Sequence, residues 1–205
     1  MKRNYLSKSI YRLFSNLNLI AMVFLSAGHN SKSTTVRQDP GAVGVHGLKE
    51  GDLTIEFRDL VAHELDILGI RFIKDSDNET LQQYLNRIQS GDGSIVIEYH
   101  FDAGPATATG STSLMEVDAD RLDKAFSKEI LEATTSTLGI KSRGTKFENE
   151  TRFSKLALMK ENGILCLHEL CFITNEHDIE RYQLKKKELA KYHARIIQKY
   201  EEIIP

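Results

Sequence analysis

The stretch "SIVIEYHF" (94–101) constrains the chain more than any other. It is an eight-residue β-branched and aromatic run with no Gly or Pro. Its stretch Ile95–Ile97 puts apolar side chains on both faces, which is the environment of a central, mostly parallel strand. Such a sheet needs helices above and below it. The sequence supplies them. Ile55, Leu60, Val61, Leu65 and Leu68 fall on one helical face over the segment from Leu53, closed by Gly69. Leu81, Tyr84, Leu85 and Ile88 mark a second helix over 80–88. Asp120–Leu138 is a third, built on Leu122, Ala125, Phe126, Ile130 and Leu131. A charged terminal helix over 178–203 turns Leu184, Leu189, Tyr192 and Ile196 inward. Between them lie short apolar runs of strand length: 19–25, 70–74, 111–117, 154–159 and 163–170. The expected fold is α/β, a single domain with a mixed, mostly parallel central sheet and helices on both faces.

With 205 residues and no Gly/Ser-rich linker, the chain has room for one such domain. The expected division is an N-terminal extension over 1–18 and a catalytic domain over 19–205. Tyr5, Ile10, Leu13 and Phe14 give the extension a helical spacing, either as a docking helix or as a loose arm. The net charge of −2 gives no electrostatic case for nucleic acid. No apolar run reaches the roughly 18 residues of a membrane span, so stable membrane insertion is not expected. Cys166 and Cys171, five apart in one apolar segment, read as small buried hydrophobes and not as a disulfide or a zinc pair.

In sheets of this class, sites form at the carboxyl ends of the strands. His29 follows the first strand, His100 ends the central one, and Glu169 ends the last apolar one. A carboxylate in an apolar strand needs a partner, which makes Glu169 unusual as a purely structural residue. "AMVFLSAGHN" (21–30) has two readings. A basic start followed by an apolar stretch and small residues looks like a secretory leader near its cleavage site. It also looks like a buried strand running into a Gly-His turn.

Four stretches, in order, resemble the zinc-dependent N-acetylmuramoyl-L-alanine amidases of the type 3 family. "SAGHN" (26–30) is similar to the turn after the family's first strand. "GVHGLKEGDLT" (44–54) is similar to its Gly-rich loop ending in a Glu before a helix. "IVIEYHFDA" (95–103) matches its strand ending in His-x-Asn-Ala, and "ILCLHELCFITNEHD" (164–178) its strand ending in the catalytic Glu. The resemblance implies His29, Glu50 and His100 as zinc ligands. Two imidazoles and a carboxylate leave a fourth position for water, as in other catalytic zinc sites. It implies Glu169 as the catalytic base, which takes a proton from water and passes it to the leaving amine. It also implies peptidoglycan as substrate, with cleavage of the amide between N-acetylmuramic acid and L-alanine. Ser26, Ala27, Asn30, Gly51, Asp102 and Leu170 depart from the family pattern beside these residues and leave the four themselves intact.

This resemblance favours the strand reading of 19–25, because cleavage after Ala27 would remove the scaffold of His29. The expected layout is then a monomer made in the cytoplasm without a signal peptide and acting at the bacterial wall, as a phage or prophage lysin does. Two other functions fit the same motifs: an inactive or regulatory wall-binding relative, and a peptidase acting on stem peptides. His46 is a rival ligand candidate near Glu50. His168 points to the sheet face opposite Glu169. His63, His177 and His193 read as surface or packing residues. Asp39 and Asp52 read as turn and first-turn residues, and "KKKELAK" (185–191) as a solvated helix face.

Overall fold

The computed structural model describes residues 22–151 and 155–203. Residues 1–18, expected as an extension, and 19–21, expected to begin the first strand, lie outside them.

The elements in chain order are β1 (Met22–Ala27), α1 (Glu50–Ile67), β2 (Phe72–Lys74), α2 (Leu81–Arg87), β3 (Ser94–Asp102), β4 (Ser111–Met115), α3 (Arg121–Leu138), β5 (Ser142–Phe147), β6 (Ile164–Phe172) and α4 (Glu176–Ile203). The six strands form one sheet in the order β2-β1-β3-β6-β4-β5. All neighbours are parallel except β4 and β6, which run antiparallel. The fold is the α/β architecture that the apolar run over 94–101 requires, with β3 between β1 and β6 near the middle of the sheet.

Strand alternation divides the core in two. Val23, Leu25, Ile95, Ile97, Tyr99, Ile164 and Cys166 face α1, α3 and α4. Phe24, Val96, Leu165 and Leu167 face the other way, under α2 and the turn at Leu158–Met159. Three long helices therefore seal one face, while a seven-residue helix and a short turn cover the other. The carboxyl ends of β1 and β3 on that second face are left open to a cleft.

Capping chemistry sets the helix ends. Asp120 caps α3 by accepting the Leu122 and Asp123 N–H groups, and Gly139 closes it in the left-handed conformation. Thr80 and Gln83 form a capping box on α2.

Four expectations need correction. Leu184 and Tyr192, expected to face inward from the terminal helix, are 77% and 46% exposed, because the buried stripe of α4 runs through Ile179, Tyr182, Leu189, His193 and Ile197. The first helix starts at Glu50, three residues before its apolar periodicity begins at Leu53. The expected strand over 154–159 is not one: 152–154 lie outside the described residues, and Leu158–Lys160 is a 3-10 turn whose Leu158 and Met159 plug the thinly covered face. β5, "SRGTKF", was not expected. It is an edge strand with no buried residue, so it lacks the apolar signal that marks the others. Cys166 and Cys171 are buried and unbridged.

Candidate metal centre

His29, Glu50 and His100 come from three separate elements, and one donor atom of each lies within 4.8 Å of the others. Among the described residues, this is the group of three metal-competent side chains that converges so closely.

Each residue is placed by local structure. Gly28 follows the last residue of β1. Its N–H donates to Tyr99 O (2.8 Å), and its carbonyl accepts the buried Thr54 hydroxyl (2.6 Å). His29 then adopts φ +71°, a left-handed conformation that is costly for a side chain with a Cβ. Glu50 is the first residue of α1, where the helix dipole favours an anion. Its Oε2 accepts the Ala42 N–H (2.9 Å) and its Oε1 the Phe101 N–H (3.1 Å). His100 lies in the last third of β3, directly opposite Glu169 of β6.

Glu50 bridges the two imidazoles. Its Oε1 is 3.0 Å from His100 Nδ1, and its Oε2 is 3.2 Å from His29 Nε2. Burial would raise the Glu50 pKa, but hydrogen bonds from His100 and His29 hold it far below the usual carboxylate range. Burial acts on both histidines in the opposite sense. The bonds to Glu50, and for His100 also to Glu98, outweigh it and raise both. The ring nitrogens of His29 and His100 and the Glu50 carboxylate thus meet at one point, a donor set that could hold a divalent cation.

Two glycines make the approach possible. A Cβ on Gly28 would lie 2.3–2.5 Å from the His100 ring. A Cβ on Gly41, which has φ +66°, would lie 2.5 Å from His29 and 2.7 Å from Glu50. Side chains that glycine must admit, with two nitrogens and a carboxylate turned inward, fit a zinc ion.

Glu169 lies on the same sheet face as His100, on the neighbouring strand. Its Oε2 is buried and has no hydrogen-bond partner among the described residues. Burial pushes its carboxyl up to about 7, opposed by His100 and reinforced by Asp102 and Glu50. A carboxyl near 7 is matched to proton transfer at neutral pH. The end of β6 is fixed by buried Asp178, whose Oδ2 accepts the Phe172 and Gly110 N–H groups. Beside the centre, a cleft of about 270 Å³ runs toward α2, past Arg37, Asp75, Glu79 and Tyr84.

His46 is not in the cluster. It is largely exposed and pairs with Glu176 at 3.3 Å. His168 is buried on the opposite face, bonded to Ser113 and Thr134, and His193 joins the same network. Asp52 lies in the first turn of α1 and accepts the Ser31 hydroxyl at 2.7 Å.

Two residues near the centre escaped the sequence reading. Asp39, expected as a turn residue, also accepts from His29 Nδ1 at 2.8 Å. Asn30 holds it there, since its Oδ1 accepts the Asp39 N–H at 2.7 Å. Glu98, two residues before His100 and so on the same face, accepts from His100 Nε2 at 2.8 Å. The signal for Glu98 was present: it is a carboxylate inside the most apolar strand of the chain.

The family model for N-acetylmuramoyl-L-alanine amidase (Amidase_3) matches residues 23–199. No curated protein sequence matches the chain. Among solved structures, the protein assigned as an N-acetylmuramoyl-L-alanine amidase in Neisseria meningitidis is 28% identical, with a TM-score of 0.69. That match covers 87% of this chain and 94% of the other. The amidase AmiC2 of Nostoc punctiforme is 22% identical over 89% of this chain and 97% of its own, with a TM-score of 0.70. The catalytic domain of the CD27L endolysin, which targets Clostridia difficile, is 19% identical over 87% and 97%, with a TM-score of 0.61. The last two likenesses concern the fold. The matched span runs from the first strand nearly to the end of the last helix and takes in every residue of the converging cluster: the chain belongs to the N-acetylmuramoyl-L-alanine amidase family.

Proposed function

We propose that the protein hydrolyses the amide between N-acetylmuramic acid and L-alanine of peptidoglycan with a zinc ion held by His29, Glu50 and His100, and that it acts in lysis of the bacterial wall. The observation that carries this reading is the meeting of those three donors within 4.8 Å, beside a cleft, with Glu169 on the adjacent strand. When bound, zinc supplies Lewis acidity to a carbonyl and to water at neutral pH.

The chain's own residues do the rest. Before the ion binds, Glu50 holds both imidazoles through its two oxygens, so that the three donors already face one point. Glu169 takes a proton from the attacking water on a carboxylate oxygen and returns it to the amine of L-alanine as the bond breaks. The likeness to the CD27L catalytic domain supports the lytic role. In this reading the catalytic domain begins at about residue 19, with 1–18 as an extension. No helix among the described residues is long and apolar enough to cross a membrane.

Digestion of purified sacculi with and without a chelator, followed by mass analysis of the products, tests the proposal. Free lactyl ends and N-terminal L-alanine, lost with the chelator and restored by zinc, are the expected result. New termini within the stem peptide indicate a peptidase instead. A zinc-loaded protein that binds sacculi and releases nothing indicates a regulatory relative.

A further inference from the structure

Glu98 is 3% exposed in the central strand, between Ser26 of β1 and Leu167 of β6. Among the described residues, its hydrogen-bond partner is the His100 ring, and its Oε2 has none. A buried carboxylate so poorly satisfied is costly, and a satellite of the core would be better served by an apolar residue.

The geometry gives the carboxylate a task. His100 offers Nδ1 to Glu50 at 3.0 Å and Nε2 to Glu98 at 2.8 Å, from opposite sides of the ring. We infer that Glu98 is a positioning residue for the metal centre: it accepts the Nε2–H of His100, fixes that tautomer and ring orientation, and so turns the Nδ1 lone pair toward the cation. The inference rests on His100 being a ligand, as proposed above. Carboxylates behind a metal-bound imidazole also raise its basicity as a ligand. Asp39 stands in the same relation to His29, 2.8 Å from Nδ1 while Nε2 faces Glu50. Asp39 is largely exposed, so water can substitute for it; Glu98, 3% exposed at the floor of the cleft, holds the His100 ring more tightly.

The test is zinc affinity by chelator competition on the full chain, with the visible spectrum of the cobalt-loaded protein as a second readout. Glu98→Leu keeps the bulk and removes the acceptor. It is expected to weaken zinc roughly 10–100-fold and to change the cobalt spectrum, while the metal-free protein melts no lower than wild type. A filling role gives the reverse: a lower melting temperature with unchanged affinity and spectrum, which overturns the inference. Glu98→Gln retains a neutral acceptor and is expected to recover most of the affinity, remaining several-fold weaker than wild type. Should the leucine variant not fold, binding by the glutamine variant as tight as wild type overturns the inference by itself. Wild-type protein that binds no zinc sinks the metal reading as a whole, whereas tight wild-type binding with unaffected variants sinks Glu98 alone.

Discussion

Gly28→Ala probes the packing of the centre without touching a ligand. The added methyl carbon would stand 2.3 Å from His100 Cε1 and 2.5 Å from each ring nitrogen, where ordinary contact begins at 3.4 Å. The ring must therefore retreat by about 1 Å. It has no room to do so in place, because its two nitrogens are bonded at 3.0 and 2.8 Å to Glu50 and Glu98. Gly28 is not among the glycines with positive φ, so alanine adds no backbone strain, and the whole effect falls on the ring. Metal–ligand distances tolerate roughly 0.2 Å, and a displacement of ~1 Å near the chemistry costs on the order of 100-fold in rate.

The expected result is a folded protein with hydrolysis of sacculi down at least about 100-fold and zinc affinity reduced in parallel. Overpacking of this size costs ~1–3 kcal/mol, and each kcal/mol lowers the melting temperature by roughly 2–4 °C in a chain of this length. Gly91→Ala is the control, since nothing lies within 4 Å of its added carbon. The three measurements are chelator competition, product release and thermal melting. A Gly28→Ala protein with wild-type affinity and turnover would show that His100 is free to move, and the argument that glycine admits the ligand would fail.

His29→Ala is expected to lose both zinc and hydrolysis; full zinc occupancy measured by metal analysis would remove His29 from the ligand set. Glu169→Gln should keep zinc and lose roughly 10²–10⁴-fold in turnover, and undiminished product release would exclude it as the base. In the metal-free protein the Glu169 carboxyl titrates at about 7 against an ordinary 4.5, so the folded state holds its proton more tightly than the unfolded state does. That contribution favours the fold below about 4.5 and is lost as pH rises to 7. The stability of Glu169→Gln relative to wild type should therefore increase over that interval, and a pH-independent difference in melting temperature refutes it. Arg58, 1% exposed, binds Asp59, Asp75 and Asp77 at 2.9 Å each. Arg58→Met strands the partly buried Asp75 carboxylate and should cost up to ~3–5 kcal/mol in urea unfolding; a loss under about 1 kcal/mol would contradict the pairing.

The parts of this molecule that the sequence made legible are those where burial and chemistry agree. Ile95–Ile97 of β3 is apolar because both faces of the strand are covered there, and α3 carries its periodicity, its Asp120 cap and its Gly139 stop in one short stretch. His29, His100 and Glu169 stood out because polar residues at the ends of apolar strands have few structural reasons to be there. Glu50 was different. A glutamate opening a helix is ordinary, and only the resemblance of the stretch over 44–54 to the family's Gly-rich loop singled it out. β5 was hidden because an edge strand facing water needs no alternation. The stretch over 154–159 misled because apolar residues there cover the thin side of the sheet without joining it.

Glu98 and Asp39 expose a more general limit. Period-2 geometry puts Glu98 beside His100 from sequence alone, yet a carboxylate two residues from a histidine on a strand has several uses: to bind a metal, to pair with a cation, or to orient the ring. The choice depends on which ring nitrogen it meets. That is set by how His100 rotates, and the rotation is fixed by Gly28 just after β1 and Glu50 on α1, some 50 to 70 residues earlier in the chain. Spacing along one strand places the donor. Only contacts from other elements decide which of its lone pairs is left for the cation, so a strand pattern of this kind identifies a metal centre sooner than it identifies the residues that orient it.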